Sequence, residues 1–391
     1  MKALVIAPEP FFTPRGTPFS VYYRALVMAE RGVAIDLLTY GQGQDVDIPG
    51  CRIVRLPRFG FLGPVKVGPS ILKLFLDGWM VLWTIGLLLR NRYTFVHAHE
   101  ESVFYARFLK PLFGFKLVYD MHSSLPEQLT NFKFTTSRAL TGMFRALERS
   151  SLKASEAVIT ICPDLAEYAL AEGVDPSRHF LIENSIFEEV RLASTPSTNG
   201  PATTAVPPLP EGAPLIVYAG TLEAYQGMDI LVRAFSIVRR TRPDARLLIV
   251  GGTPEQIAAL RALADEEGLG DTCTFTGRVS KHQAQAHTSR ASVLVSPRRE
   301  GTNTPLKIYE QLASGIPLVA TSIRAHTQVL DDTVCFLVEP DPTSMAEGIL
   351  GALSDGQRRR SVVAAALALY QTQYSRHVYE AKVGRLLQVL Q

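Results

Sequence analysis

Residues 299–321, REGTNTPLKIYEQLASGIPLVAT, combine a short loop of glycine and small polar residues with the start of a helix. Thr304 is placed to cap that helix, Pro305 suits its first position and Gly315 stands just past its end. The free amides of 301–306 then converge with the positive end of the helix dipole, which makes an anion site. This places Gly301, Thr302, Asn303, Thr304 and Pro305 around the anion. Glu310 lies about one and a half turns into a helix of 3.6 residues per turn, where its carboxylate can accept two hydrogen bonds from a diol. A diphosphate at the helix start and ribose hydroxyls at Glu310 together make a nucleoside diphosphate. An ordinarily capped helix with Glu310 in solvent fits the same spacing.

A second group of reactive side chains lies in the first half. FVHAHEES (95–102) ends a buried run with His97, His99 and Glu100, and VYDMHSSLPEQL (118–129) ends another with Asp120 and His122, followed by Ser123, Ser124 and Glu127. A histidine at such a strand end is a candidate for chemistry and also a common core residue. His99 and Glu100 are candidates for an acceptor side. Two histidines two apart on a strand point the same way, so a metal site has to be weighed. No cysteine or third histidine lies near them in sequence, and no metal is expected. In TPRGTPFS (13–20), Gly16 lets a ligand approach the backbone and Thr17 or Ser20 can cap a helix, unless the segment is only a turn.

These residues need strands to present them, and the pattern supplies strands. KALVIAP, VAIDLLTY, FVHAH, KLVYDMH and AVITICP alternate with helical stretches, and PLIVYAG, ARLLIVGG, CTFTG, SVLVSP and PLVATS repeat the scheme. That alternation predicts an α/β chain of two Rossmann-like, doubly wound parallel sheets facing across a cleft, with ligands beyond the carboxyl ends of the strands. The expected divisions are a first domain over 1–190, a Pro/Ser/Thr/Gly-rich linker over 191–213, a second domain over 214–362 and a helical segment over 363–391 that packs back on the first. A length of 391 residues with 47% hydrophobic and 20% charged residues suits two cores. A net charge of +3 gives no ground for nucleic acid as a partner. Four scattered cysteines, Cys51, Cys162, Cys273 and Cys335, argue against a zinc site or a disulfide framework and for a reducing compartment. MKALVIAPEPFF reads as a first strand rather than a signal peptide.

ILKLFLDGWMVLWTIGLLL (71–89) has nearly the length of a membrane span, but Lys73 and Asp77 interrupt it. It is read as a core or interfacial helix. Trp79, Trp83 and the flanking Lys66, Lys73, Arg90 and Arg92 suit the surface of an inner leaflet, and a buried helix on its own sheet suits the pattern equally.

The stretch SPRREGTNTPLKIYEQLASGIPLVAT resembles the nucleotide-sugar loop of the family 4 (group 1) retaining glycosyltransferases of GT-B fold. YAGTLEAYQGMDILVRAF, EAVITICPDLAEY and LIENSI extend the resemblance over nearly the whole chain. It implies a nucleotide-sugar donor, with a UDP-sugar favoured, and a glycan or lipid-linked acceptor. It also implies retention of anomeric configuration without a bound metal or other cofactor. His122 then takes the place near the donor sugar, and the Gly16–Thr17 loop the place near donor phosphate and acceptor. Members usually carry two glutamates eight positions apart. Here Thr302 stands at the earlier position, and Glu300, ten positions before Glu310, serves only in a longer loop. Members also hold the diphosphate with Arg and Lys in the loop that opens the second domain. Here Gly220, Thr221 and Gln226 stand in that loop, which leaves Lys307, Arg298 or Arg299 to balance the phosphates, with Lys307 preferred.

Glycosidases flank the scissile bond with two carboxylates, and no such pair is evident. Stabilisation of the departing diphosphate by amides and cations, with closure excluding water, is the chemistry implied. The dinucleotide enzymes are excluded by the lack of G-x-G-x-x-G after a strand. A non-catalytic nucleotide-sugar binder or scaffold of a polysaccharide assembly is the alternative. The expected location is cytoplasmic, at or near the inner face of the membrane.

Overall fold

The structure is a computed structural model that describes residues 1–13, 16–58, 63, 65, 70–124, 138–184, 187, 190 and 212–391. The chain forms two compact units, Met1–Pro196 with Arg376–Gln391, and Ser197–Ser375. Residues 191–211 of the expected linker, and Glu127, lie outside the described residues.

In the first unit the described residues form a parallel sheet of order β3-β2-β1-β4-β5-β6-β7. Its strands are β1 (Lys2–Ala7), β2 (Ala34–Thr39), β3 (Cys51–Arg55), β4 (Phe95–His99), β5 (Lys116–Met121), β6 (Ala157–Thr160) and β7 (His179–Leu181). The order reverses direction at β1 and β4, which is the switch point where such sheets bind ligands. Strand β1 shows why its apolar run is continuous. Ala3, Val5 and Ala7 enter the core on one face, and Leu4 and Ile6 the core on the other. A strand covered on both faces has no polar side to alternate with.

Helix α1 (Gly16–Glu30) covers the first face, and Gly32, at φ 81°, ends that turn in a conformation that glycine adopts without strain. Because α1 begins at Gly16, Thr17 and Ser20 lie inside its first turns and do not cap it, against expectation. Helices α2 (Ile71–Arg90) and α3 (Ser102–Phe113) pack on the other face. The stretch 363–391 is shared between the units. The helix Gly356–Leu369 lies in the second, whereas Arg376–Val389 lies in the first, with Tyr379, Val383, Leu386 and Leu387 in the core below α1. Ion pairs of Lys382 with Glu183 and of Arg376 with Glu30 (2.8 Å) border that contact.

The second unit repeats the plan. Its strands are β8 (Leu215–Ala219), β9 (Arg246–Val250), β10 (Cys273–Phe275), β11 (Val293–Ser296), β12 (Leu318–Thr321) and β13 (Phe336–Val338). The parallel order is β10-β9-β8-β11-β12-β13, with the switch at β8 and β11. All four cysteines are free.

Candidate active site

In the second unit the site forms where β8 and β11 end. The segment after β11 leads into the helix Leu306–Ala313, whose N-cap is Pro305 at φ −65°, ψ 134°, with no capping side chain. The expected cap at Thr304 is therefore displaced by one residue. Pro305 keeps the φ of a helix start, but its ψ is extended, so the helical turn opens at Leu306. Thr304 Oγ1 is left buried with no partner among the described residues. Gly315, at φ 73°, follows the helix end as expected.

Lys307 lies in the first turn with its Nζ buried, and no acceptor reaches it among the described residues. The ammonium sits 4.0 Å from the centroid of the Tyr218 ring, a cation–π contact. Burial, with the Arg298 charge adding to it, lowers its pKa to about 7. A buried amine at a helix N-terminus, unpartnered among the described residues, has the charge and donors of an anion site that none of those residues fills.

Arg298 is engaged differently. Its Nε donates to Glu300 O (2.8 Å), its Nη1 to Asn303 O (3.3 Å), and the guanidinium lies 5.0 Å from the Tyr225 ring centroid. It therefore holds the loop by its own carbonyls. Gly301, at φ 135°, fits beneath it; a Cβ there would lie 2.4 Å from Arg298 Nη2. Glu300 and Thr302 are exposed, and Thr302 O accepts from Gln328.

The loop after β8 is tied to this one. Arg299 N donates to Tyr225 O (2.9 Å), and a Cβ on Gly227 would lie 2.0 Å from Pro297 O. Tyr218 Oη donates to Thr221 O (2.6 Å) under Gly220, and Gln226 Oε1 is buried without a partner among the described residues. Glu310 is half-buried and pairs loosely with Lys281 Nζ at 3.7 Å. Burial raises its pKa above the ordinary value.

His326 was not anticipated. It is buried, with Nδ1 2.8 Å from Thr321 O and Nε2 3.0 Å from Ser296 Oγ. The carbonyl requires a proton on Nδ1, so Nε2 accepts from the serine. Burial lowers its pKa to about 4, which keeps the ring neutral beside Lys307 and Arg298.

In the first unit, the pairing of His99 with Asp120 across β4 and β5 gathers a buried cluster. His97 Nε2 lies 2.8 Å and His99 Nδ1 3.4 Å from Asp120 Oδ2, and His99 Nδ1 lies 3.0 Å from His122 Nε2. Arg24, from α1, places Nε 2.7 Å from Asp120 Oδ2 and donates Nη2 to Ile182 O (3.1 Å). Burial alone would push the Asp120 carboxyl up, but the Arg24 guanidinium and the imidazoles hold it well below its usual range. Burial lowers His99 well below its ordinary value and His122 to about 4, so both rings are neutral near pH 7. The sequence argument against a metal was the lack of a third ligand. Folding supplies one, since ligand atoms of His97, His99 and Asp120 lie within 4.8 Å of one another. The Arg24 guanidinium already occupies the cation position on that carboxylate.

Glu100 follows His99 at φ 48°, and burial, with Glu101 beside it, raises its pKa to about 7. Next to it, Lys73 pairs with Glu101 (2.7 Å), and Tyr40 Oη donates to Asp77 (2.5 Å), whose pKa burial also raises to about 7. This polar cluster joins three segments distant in sequence, and no single motif announced it. Arg24 did leave a signal, as the one charged residue in the run VYYRALVMA. Gly16 is exposed, with open space where a Cβ would stand, and Thr17 is half-buried.

Two doubly wound parallel sheets, with cationic and imidazole groups gathered at their carboxyl edges, define a GT-B glycosyltransferase. Residues 213–355 match the family described as glycosyl transferases group 1, and residues 20–185 match the glycosyl transferase 4-like domain. The chain belongs to the group 1, family 4 glycosyltransferases. It is 27% identical to a D-inositol 3-phosphate glycosyltransferase of Xylanimonas cellulosilytica, over 87% of this chain and 84% of that one. It is 24% identical to a phosphatidyl-myo-inositol mannosyltransferase of Mycobacterium tuberculosis, over 100% and 97%. The fold is similar to that of Anabaena HepE, solved in complex with UDP, at a TM-score of 0.71 and 14% identity over 99% and 100%.

Proposed function

We propose that the protein transfers a hexosyl residue from a nucleotide sugar, with UDP-sugar favoured, to a lipid-linked or glycan acceptor with retention of configuration. The observation that carries this reading is the buried, unpartnered Lys307 Nζ at the start of the helix Leu306–Ala313. A diphosphate there meets an ammonium and a helix N-terminus, and Glu310 further along the helix takes the ribose hydroxyls. The Arg and Lys that the family carries in the loop after β8 are absent, and Lys307 takes over their charge. The leaving diphosphate gains negative charge as the glycosidic bond breaks, so a preorganised cation lowers the barrier. For retention, the acceptor oxygen bonds to the anomeric carbon on the face the phosphate leaves, and a phosphate oxygen takes the acceptor proton. His122 has the sugar-side role that the family resemblance assigns to it. Glu300, exposed in the loop, is the carboxylate left for the sugar in place of Thr302.

The relatives named for inositol phosphate and phosphatidyl-myo-inositol support an acceptor of that kind, and the HepE complex supports UDP. The exposed apolar face of α2 supports work at the inner surface of a membrane.

The test is calorimetric titration with UDP, GDP and ADP, with Glu310→Ala alongside, followed by turnover of the matching nucleotide sugars. Binding of one nucleotide that the variant loses, with turnover, supports the enzyme. Binding without turnover on any acceptor points to a non-catalytic nucleotide-sugar binder, and no binding at all sinks the reading.

A further inference from the structure

Helix α2 turns one side to the core with Leu76, Met80, Leu87 and Leu88 and carries large apolar side chains on the other. Leu74, Phe75, Leu82 and Leu89 are 62%, 43%, 59% and 72% exposed. Positions 75, 82 and 89 are seven apart and form one stripe. On α3, which also packs against α2, Phe108 and Leu112 are 60% and 76% exposed.

A groove of about 410 Å³ opens between β3 and the second half of α2. Val54, Leu82, Trp83 and Leu87 line it with apolar surface, and Arg52 and Arg90 lie at its margin. Arg52 is anchored through Nε to Asp36 Oδ1 (2.7 Å), yet its side chain is 61% exposed. Arg90 is exposed and has no ion-pair partner among the described residues. Asp36 also pairs with Lys2 (3.2 Å), which shares the carboxylate with Arg52 and leaves two cations, Arg52 and Arg90, at the groove.

Within the first unit, the groove lies away from the His97–His99–Asp120 cluster at the carboxyl ends of the strands. The strands run parallel and α2 runs back along them. Its first turns meet Tyr40 and Glu101 beyond the carboxyl ends of β2 and β4, and its last turn lies where Lys2 Nζ donates to Asn91 Oδ1 (2.9 Å), at the start of β1. About 30 Å of helix separates these ends.

We propose that this groove seats one anionic phospholipid of a bilayer, its phosphate between Arg52 and Arg90 and an acyl chain along Leu82, Trp83 and Leu87. The stripe from Leu74 to Leu89 then rests in the membrane surface. A soluble anion would have no use for the apolar lining, whereas paired cations over an apolar floor match the two halves of a phospholipid. The inference rests on the membrane-facing part of the proposed function and adds to it a headgroup site on the first unit, apart from that unit's buried histidine cluster.

The experiment is co-sedimentation of the full chain with phosphatidylcholine vesicles, with and without phosphatidylglycerol. Wild-type protein is expected to prefer the anionic vesicles. Arg52→Gln with Arg90→Gln is expected to weaken that binding about thirty-fold, the size of two cation–lipid contacts. Gly86 lines the groove, and a Cβ there meets nothing within 4 Å, so Gly86→Leu obstructs the groove without changing charge. It is expected to cause a comparable loss. Arg92→Gln removes an exposed cation outside the groove and is expected to cost less than either. Unaltered circular dichroism and melting show that each variant is folded. No preference for anionic vesicles in wild-type protein, or Gly86→Leu binding them like wild type, would overturn the proposal. So would release from the vesicles by millimolar glycerol phosphate, which indicates a soluble anion site. Absence of UDP binding would instead count against the donor reading and leave this result standing.

Discussion

Arg24 and Asp120 form an ion pair sealed inside the first unit, with Nε 2.7 Å from Oδ2 and side chains 2% and 0% exposed. The pair joins α1 to β5 and fixes a negative charge around which His97, His99 and His122 gather. Taking two charges out of water is expensive, and removing one partner leaves the other without compensation.

Asp120→Asn is therefore expected to destabilise the first unit by about 3–5 kcal/mol. The double variant Arg24→Met, Asp120→Asn recovers part of that loss, because the orphaned guanidinium is gone. Urea unfolding of the set gives the coupling energy. Additive losses would mean that the two groups do not compensate each other.

Lys307 presents the opposite case, a cation with no counter-charge among the described residues. Replacing it with methionine keeps an apolar side chain of similar length and removes the buried charge, together with its contact to the Tyr218 ring. Lys307→Met is expected to raise the melting temperature of the ligand-free protein by about 2–4 °C, from a gain of about 1 kcal/mol. The same change is expected to weaken nucleoside diphosphate binding about 10–100-fold, the range for a hydrogen bond to a charged group. A stabilised variant that loses affinity separates a ligand group from a structural one. Lower stability with unchanged affinity would make Lys307 a packing residue.

The parallel strands were legible because a strand buried on both faces must be apolar throughout, as Leu4 and Val5 show by entering different cores. The start of the helix Leu306–Ala313 was legible to one residue, since a proline announces a boundary without saying which side of it is helical. The sequence marks Lys307 as a first-turn residue, but its isolation depends on Tyr218 from another strand. Arg298 carries the same charge and is consumed by the loop's own carbonyls, a difference that only the fold decides. The His97–His99–Asp120 grouping depends on the register of β4 against β5, and register is not written in either segment alone.

Glu310 is expected to act on the ribose and not on the phosphates. Its half-buried carboxylate lies 3.7 Å from Lys281 Nζ and keeps capacity to accept from a diol. Glu310→Gln, which keeps the shape and loses the charge, is expected to weaken UDP binding by about tenfold, near 1.4 kcal/mol. Inorganic pyrophosphate, which has no ribose, is expected to bind the variant as it binds wild type. Equal losses for both ligands would place Glu310 in the phosphate site and overturn the assignment.

The Lys307 amine also fixes a pH dependence. Its pKa in the free protein is lowered to about 7, below the ordinary lysine value, by burial first and the Arg298 charge second. For stability, a depressed basic pKa means that the folded state holds this proton less tightly than the unfolded chain. The cost is full below pH 7 and fades as pH rises from 7 toward the ordinary lysine range. For binding the sign reverses. A diphosphate beside the amine favours its charged form and raises its pKa, so the complex takes up a proton that the free protein has begun to lose. Affinity is expected to be greatest near or below pH 7 and to fall by up to tenfold per unit between pH 7 and the raised pKa, the limit for one proton. Calorimetric titrations at pH 8 in buffers of different ionisation enthalpy would show the uptake directly. Lys307→Met is expected to flatten the profile and abolish the uptake, and an unchanged profile in that variant would assign the titration to another group.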